Sequence, residues 1–183
     1  FTNEERAVVG TIYKQQSPEL AFDKGLEFAG ARMAWYVKEA KRLAPDRKIF
    51  IHCWRGGRRS GSLAWLLGFA GFEVDVLEGG YKAYRNYIHN AFATMPIRPV
   101  VLGGPTGSGK TEILRYLREA GEQVIDLEAL AHHKGSSFGA IGESPQPTVE
   151  QFENDLYQEL FLMDPTRRVW VENESRAIGR IFL

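Results

Sequence analysis

Residues 100–120 read VVLGGPTGSGKTEILRYLREA, and no other stretch of the chain narrows its fold as far. An apolar strand signal leads into a glycine-rich turn, and a helical pattern leads out. Within the turn, Gly104-Pro105-Thr106-Gly107-Ser108-Gly109-Lys110-Thr111 satisfies G-x-x-x-x-G-K-[ST] in full. Glycines let the backbone wrap close to a phosphate, so that several N–H groups and the N-terminus of the next helix point at it. Lys110 adds a point charge for the phosphate oxygens, and the Thr111 hydroxyl can ligate Mg²⁺. The motif establishes binding of a phosphorylated group without saying which one, so a nucleotide such as ATP is one candidate among several. No metal site made by protein ligands alone is expected; Mg²⁺ held with Thr111 is the ion such a loop implies.

An acid at the tip of a neighbouring strand is expected to complete this P-loop by holding Mg²⁺ through water. Two segments compete. Gln123-Val124-Ile125-Asp126 offers Asp126, with Glu128 behind it; Val169-Trp170-Val171-Glu172 offers Glu172, with Glu174 nearby. The second follows the longer apolar run, but either acid can instead cap a helix or pair with Arg176.

Around this centre the chain alternates helix and strand signals. Thr2-Asn3-Glu4-Glu5 reads as a capping box for a first helix to about Gln16, and Ser17-Pro18 starts a long helical pattern to about Leu43. Lys48–His52 and Phe72–Leu77 read as strands, with helices at Ser60–Ala70 and Tyr81–Phe92. The two prolines of residues 94–99 mark a linker. Beyond it come strand Val100–Gly103, helix Thr111–Ala120, strand Gln123–Asp126, an irregular stretch His132–Pro147, helix Thr148–Met163 and strand Arg168–Glu172. Strands separated by helices pair in parallel through right-handed crossovers. The expectation is two small α/β domains, residues 1–95 and 96–183.

Composition excludes several classes. Lys+Arg and Asp+Glu both number 23 in 183 residues, so this is neither a polybasic arm nor an acidic tail. No apolar run approaches the roughly 18 residues of a membrane span, and the opening FTNEERAVVG lacks the features of a signal peptide. A single cysteine excludes an internal disulfide and fits a reducing, cytoplasmic setting. The chain begins without Met and stops inside an apolar run, Ile181-Phe182-Leu183, which reads as a piece of a longer protein. The balanced charge is uneven along the chain: fourteen basic face ten acidic side chains over residues 1–95, and nine face thirteen over 96–183. An anionic partner therefore docks more plausibly on the first half.

That first half holds the second chemical loop, His52-Cys53-Trp54-Arg55-Gly56-Gly57-Arg58-Arg59-Ser60. The lone cysteine sits at the C-terminal tip of a strand, before glycines and a helix start. Loop N–H groups and the helix dipole favour the thiolate, and Arg55, Arg58 and Arg59 add positive potential. Such surroundings lower a thiol pKa from about 8.5 into a range of roughly 3.5–7.5. A thiolate in a cationic nest suits the carriage of sulfur or selenium.

The segment Cys53-Trp54-Arg55-Gly56-Gly57-Arg58-Arg59-Ser60 resembles the active-site loop of rhodanese-type sulfurtransferases. Together with Leu77-Glu78-Gly79-Gly80-Tyr81-Lys82-Ala83-Tyr84-Arg85 and the P-loop, it resembles tRNA 2-selenouridine synthase, a bacterial fusion of a rhodanese domain with a P-loop domain. The likeness runs on through Asp126-Leu127-Glu128, Gly135-Ser136-Ser137-Phe138-Gly139, Gln151-Phe152-Glu153-Asn154 and Glu174-Ser175-Arg176-Ala177-Ile178-Gly179. Members are longer at both ends, and the first rhodanese strand is missing here. The resemblance implies a rhodanese-like parallel-sheet domain followed by a partial P-loop NTPase-like α/β domain.

It also implies a transferase that replaces the sulfur of wobble 2-thiouridine in tRNA with selenium from selenophosphate, through an S-geranylated intermediate made from geranyl diphosphate. Cys53 would handle selenium, while Arg55, Gly56, Gly57, Arg58 and Arg59 hold the phosphate of selenophosphate. The P-loop would hold the diphosphate of the prenyl donor or of a nucleotide. The tRNA and an enzyme supplying selenophosphate are the implied partners; a plain persulfide sulfurtransferase with an ATPase P-loop is the alternative. Lys41, Arg42, Arg47, Lys48, Lys82 and Arg85 are candidates for tRNA phosphates. Trp54 is placed to stack on a displayed base or to pack in the core, whereas Trp35, Trp65 and Trp170 read as core. His52 reads as a core histidine, His89 as helix surface, and His132-His133 as part of a ligand-binding loop too poor in ligands for zinc.

Overall fold

A computed structural model describes residues 1–105, 107–136 and 138–182. Thr106, Ser137 and Leu183 lie outside the described residues. The chain divides into two compact units, Phe1–Tyr84 and Arg85–Leu183.

The first unit opens with helix α1 (Asn3–Gln15), closed at its start by the expected capping box: Glu5 N–H donates to the Thr2 hydroxyl at 3.2 Å, and Thr2 N–H to the Glu5 carboxylate at 2.9 Å. Ser17 caps α2 (Pro18–Gly30) by accepting from Leu20 N–H. The long helical pattern does not run on to Leu43. It breaks at Ala31-Arg32, and α3 (Met33–Leu43) restarts without a side-chain cap. At the break the Arg32 guanidinium forks onto both oxygens of Glu5, 2.7 Å each, tying the turn back to α1.

Strands β1 (Lys48–Ile51) and β2 (Glu73–Val76) then pair in parallel, Ile49 opposite Val74, with α4 (Arg58–Phe69) as the crossover. Ala40, Ala44, Leu67 and Phe72 form the core, with Val37, Ile49, Leu63, Ala70 and Val74 against it. Trp35 and Trp65, expected inside, are 57% and 67% exposed. The small residues Ala40 and Ala44 take the buried positions, and the stacked Trp65 and Phe69 rings face out from α4.

Helix α5 (Gly80–Thr94) follows β2. In the second unit, β3 (Pro99–Leu102), β4 (Gln123–Ile125) and β5 (Val169–Glu172) form a parallel sheet in the order β3-β5-β4. The strand latest in sequence is therefore central, which sets Glu172 opposite Leu102. Helix α6 (Lys110–Glu119) links β3 to β4. A short helix α7 (Leu127–Ala131), unforeseen from the sequence, starts where the Asp126 carboxylate accepts from Ala129 N–H at 2.9 Å. Helix α8 (Val149–Phe161) is capped by Thr148, and a small hairpin pairs β6 (Ala177–Ile178) with β7 (Ile181–Phe182).

Two clusters fill this unit, Ile125, Leu160 and Val169 in one and Ala131, Phe152, Ile178 and Ile181 in the other, and Leu127, Leu130 and Leu156 pack against both. The Gln146 amide ties down the irregular stretch. It donates to the carbonyls of Ala131 (3.1 Å) and Ile178 (3.0 Å) and accepts from Arg180 N–H (3.0 Å). No helix among the described residues is long and apolar enough to cross a membrane.

Candidate functional site

The strand β1 ends one residue before His52, and the chain turns at once so that Cys53 stands at the head of a tight loop into α4. Gly57 N–H points at the sulfur (3.3 Å), and the hydroxyl of Ser60, 3% exposed, lies 3.2 Å from it. Partial burial pushes the Cys53 thiol up. The Ser60 hydroxyl and then the N–H groups of Ser60, Arg55 and Gly57 outweigh it, setting the thiol at about 6, well below an ordinary 9.0. At neutral pH Cys53 is therefore mostly thiolate.

The loop is held from outside by the start of α5. Tyr81 N–H donates to the Cys53 carbonyl (2.9 Å) and Lys82 N–H to the Trp54 carbonyl (3.0 Å). Such first-turn amides have no partner within their own helix, so they serve here as anchors. Contact is close enough to demand glycine on both sides. Gly56 (φ +63) and Gly80 (φ +65) abut, and a Cβ on Gly80 would come within 2.3 Å of the Cys53 carbonyl oxygen and of Gly56 N.

The arginines divide. Arg55, Arg58 and Arg59 are exposed, and Arg58 lies over the Phe22 ring at 4.9 Å. Trp54 is also exposed, its ring 5.5 Å from that of Tyr81. His52, expected in the core, is exposed as well, because β1 stops at Ile51 and the ring turns outward near Tyr81.

In the second unit the glycine loop joins β3 to α6. Gly107 (φ +79) and Gly109 (φ +83) take left-handed backbone that other residues rarely adopt, and Gly109 stands at the helix start. A Cβ on Gly104 would meet the Ser108 hydroxyl at 2.7 Å. The half-buried Lys110 ammonium donates to the Gly104 carbonyl at 3.2 Å, which keeps it over the loop, and Thr111 is exposed in the first turn of α6. Thr106 is not among the described residues.

Of the two competing acids, Asp126 caps α7, whereas Glu172 is buried at the tip of the strand beside β3. Burial, then repulsion from Glu128, Glu174 and Asp126, raises the Glu172 carboxyl to about 7, against the opposing pull of Lys110. Burial and repulsion from Glu174 and Asp126 raise Glu128 as well. Oxygens of Glu128, Glu172 and Glu174 all lie within 4.8 Å of one another. Sequence reasoning placed Glu128 only behind Asp126; its position in the first turn of α7 shows once that helix is seen.

Several sequence candidates for phosphate contact are otherwise engaged. Arg85, 8% exposed, bonds the Asn154 side chain (2.8 Å), the Glu150 carbonyl (3.2 Å), His89 and Glu153, so it staples α5 to α8. His89 sits on the surface as expected, 3.3 Å from Glu153. Arg42 pairs with Glu39, Lys48 with Glu73, and Arg47 lies over Phe72. Lys41 and Lys82 are exposed. His133 is buried, and its Nδ1 has no hydrogen-bond partner among the described residues, while His132 is exposed and bonds the Pro145 carbonyl.

A thiolate cradle on one α/β unit and a lysine-bearing glycine loop on the next define a rhodanese-like domain joined to a P-loop domain. Family models agree: the rhodanese-like domain matches residues 20–87, and the tRNA 2-selenouridine synthase AAA domain matches residues 97–183. A tRNA 2-selenouridine synthase of Bdellovibrio bacteriovorus is 44% identical over an alignment taking in 99% of this chain and 49% of the relative. Those of Nitrosomonas eutropha (38% identical) and Sulfurovum sp. NBC37-1 (40%) align with all of this chain and with 48% and 50% of their own lengths. The chain is similar along its whole length to tRNA 2-selenouridine synthases, with the rhodanese-like domain and the AAA domain of that family in order, and it spans about half the length of these curated relatives.

Proposed function

We propose that this chain is the working part of a transferase that acts on tRNA in the cytoplasm, replacing the sulfur of wobble 2-thiouridine with selenium. The observation that carries the reading is the presence of both cradles in one chain: a thiol set at about 6 by its loop and Ser60, and a glycine loop crowned by Lys110. The names of the relatives supply the substrate class.

In the first step the 2-sulfur attacks C1 of geranyl diphosphate and the C–O bond to diphosphate breaks. Gly104, Thr106, Gly107, Ser108, Gly109, Lys110 and Thr111 form the loop that receives the departing anion, whose charge grows as the bond breaks. Mg²⁺ with Thr111 would supply further charge there. Alkylation turns a poor leaving group into a good one. In the second step water adds at the donor phosphorus as its P–Se bond breaks, giving phosphate and hydrogen selenide; the selenide adds at C2 and geranyl thiolate leaves, with no change of oxidation state. Cys53 handles selenium in this transfer, and Arg55, Arg58 and Arg59 hold the selenophosphate anion. A selenophosphate-supplying enzyme is the natural partner.

Nucleoside mass spectrometry decides it, using the protein that contains this chain with 2-thiouridine tRNA, selenophosphate and geranyl diphosphate. Wild type is expected to give selenouridine. Cys53→Ala is expected to lose it while the S-geranylated nucleoside accumulates, and Lys110→Ala to lose both. Wild-type protein that leaves the tRNA free of selenium, yet moves sulfur from thiosulfate, overturns the reading in favour of a plain sulfurtransferase. Tight ATP binding with turnover, and none of geranyl diphosphate, overturns the assignment of the P-loop.

A further inference from the structure

Three glutamates from separate points of the second unit meet at the end of its sheet: Glu128 on α7, Glu172 at the tip of β5, and Glu174 two residues beyond. Like charges this close repel, and the surroundings do little to relieve them. Lys134, one of two lysines acting on the group, is paired with Glu143 at 2.8 Å; the other, Lys110, bonds the Gly104 carbonyl. Glu172 is 3% exposed, and its Oε1 has no hydrogen-bond partner among the described residues. A buried carboxylate oxygen normally finds a donor or an ion, because leaving it bare forfeits its hydration.

The cluster has backbone against it on one side. Gly135 (φ +63) presses its backbone on two of the three, so that a Cβ there would stand 2.4 Å from Glu128 Oε1 and 2.9 Å from Glu174 Oε2. A compact set of oxygen donors with one donorless, buried member has the chemistry of a hard divalent cation site.

We propose that Glu128, Glu172 and Glu174 bind one Mg²⁺-class cation directly through protein carboxylates, without needing a phosphate ligand. The arrangement the glycine loop itself implies is different: there Thr111 and the bound phosphate are the ligands, and the acid acts through water. A site preloaded with its ion would add a positive charge beside Lys110 before the diphosphate arrives. The inference extends the P-loop half of the proposed function and does not rest on the selenium chemistry, so failure of one shows in ion binding and failure of the other in the nucleosides.

The test is titration of the full chain, freed of metal with EDTA and dialysed, with Mn²⁺ in the absence of any nucleotide or diphosphate. Water-proton relaxation and calorimetry report binding, and Mg²⁺ serves as competitor. One Mn²⁺ per chain is expected, displaced by Mg²⁺, with at least tenfold weaker binding in Glu172→Gln and Glu128→Gln and no change in the surface variant Glu119→Gln. Metal-free Glu172→Gln is expected to melt no lower than wild type, since the change removes a repelling charge. If it fails to fold, Glu174→Gln, on the segment past the strand, carries the same tenfold expectation. Binding that awaits added diphosphate, or full affinity in a folded Glu172→Gln or Glu174→Gln chain, overturns the proposal.

Discussion

At Cys53 two effects of opposite sign meet: partial burial of the sulfur favours the neutral thiol, while the Ser60 hydroxyl and the loop amides favour the thiolate. The second prevails because hydrogen bonds to a charged group are worth roughly 1.5–3 kcal/mol, against about 1.4 kcal/mol for one pKa unit. Removing the Ser60 hydroxyl therefore raises the thiol by about one unit or more. Lowering the wild-type pKa means that alkylation by iodoacetamide climbs through pH 6 and is near its plateau at neutral pH. In Ser60→Ala the same climb moves to near or above about pH 7, and Ser60→Thr restores it. With one cysteine in the chain the rate reports Cys53 alone; coincident wild-type and Ser60→Ala profiles would refute the assignment. The opposite balance holds at Glu172, where burial and like charge act together and the carboxyl rises to about 7. The cysteine's low pKa was legible from its place before glycines and a helix start. That a hydroxyl seven residues on delivers the largest lowering contribution was not, since it depends on how α4 seats its first turn.

Among the elements, the junction of the cysteine loop with α5 shows how a helix start can hold a loop it does not belong to. Two first-turn amides of α5 bond the carbonyls of Cys53 and Trp54, and Gly80 lets the two backbones touch. Gly80→Ala adds left-handed strain, about 1–2 kcal/mol, to a contact that must open. Unfolding by urea is expected to show at least that loss, and the alkylation midpoint to move toward an ordinary thiol as the loop shifts. Gly71→Ala is the matching control. Gly71 has φ +83 but nothing within 4 Å of an added Cβ, so it is expected to show the strain alone and an unchanged thiol. Helix starts at Thr2, Ser17 and Thr148 were readable because a cap involves residues within one turn. The break at Ala31-Arg32 was not, and the contact that holds its turn reaches Glu5, 27 residues away in sequence.

For the whole molecule, the excess of basic residues in the first half pointed to several tRNA contacts, and the fold separates them by what each side chain already does. Arg85 is committed to α8, so Arg85→Ala is expected to cost about 3 kcal/mol in urea unfolding, as when one partner of a buried pair is removed. Lys82→Ala, at an exposed site, is expected to change stability by less than about 0.5 kcal/mol. It should weaken tRNA binding and lower the salt slope by about one. Unchanged tRNA affinity in Lys82→Ala would remove that residue from the interface. Both chemical loops could be read in the linear chain because their function is local: a few consecutive residues present their own N–H groups, glycines and charged side chains to one ligand atom. The alternation of strands and helices was readable for the same reason, each periodicity being set by near neighbours. Tertiary structure alone placed β5 between β3 and β4, gathered Glu128 with Glu172 and Glu174, turned Trp35 and Trp65 outward, and buried Arg85. These outcomes depend on segments far apart in sequence competing for one sheet edge or one buried position, and the energy that settles such a competition belongs to the packed whole rather than to any stretch of the chain.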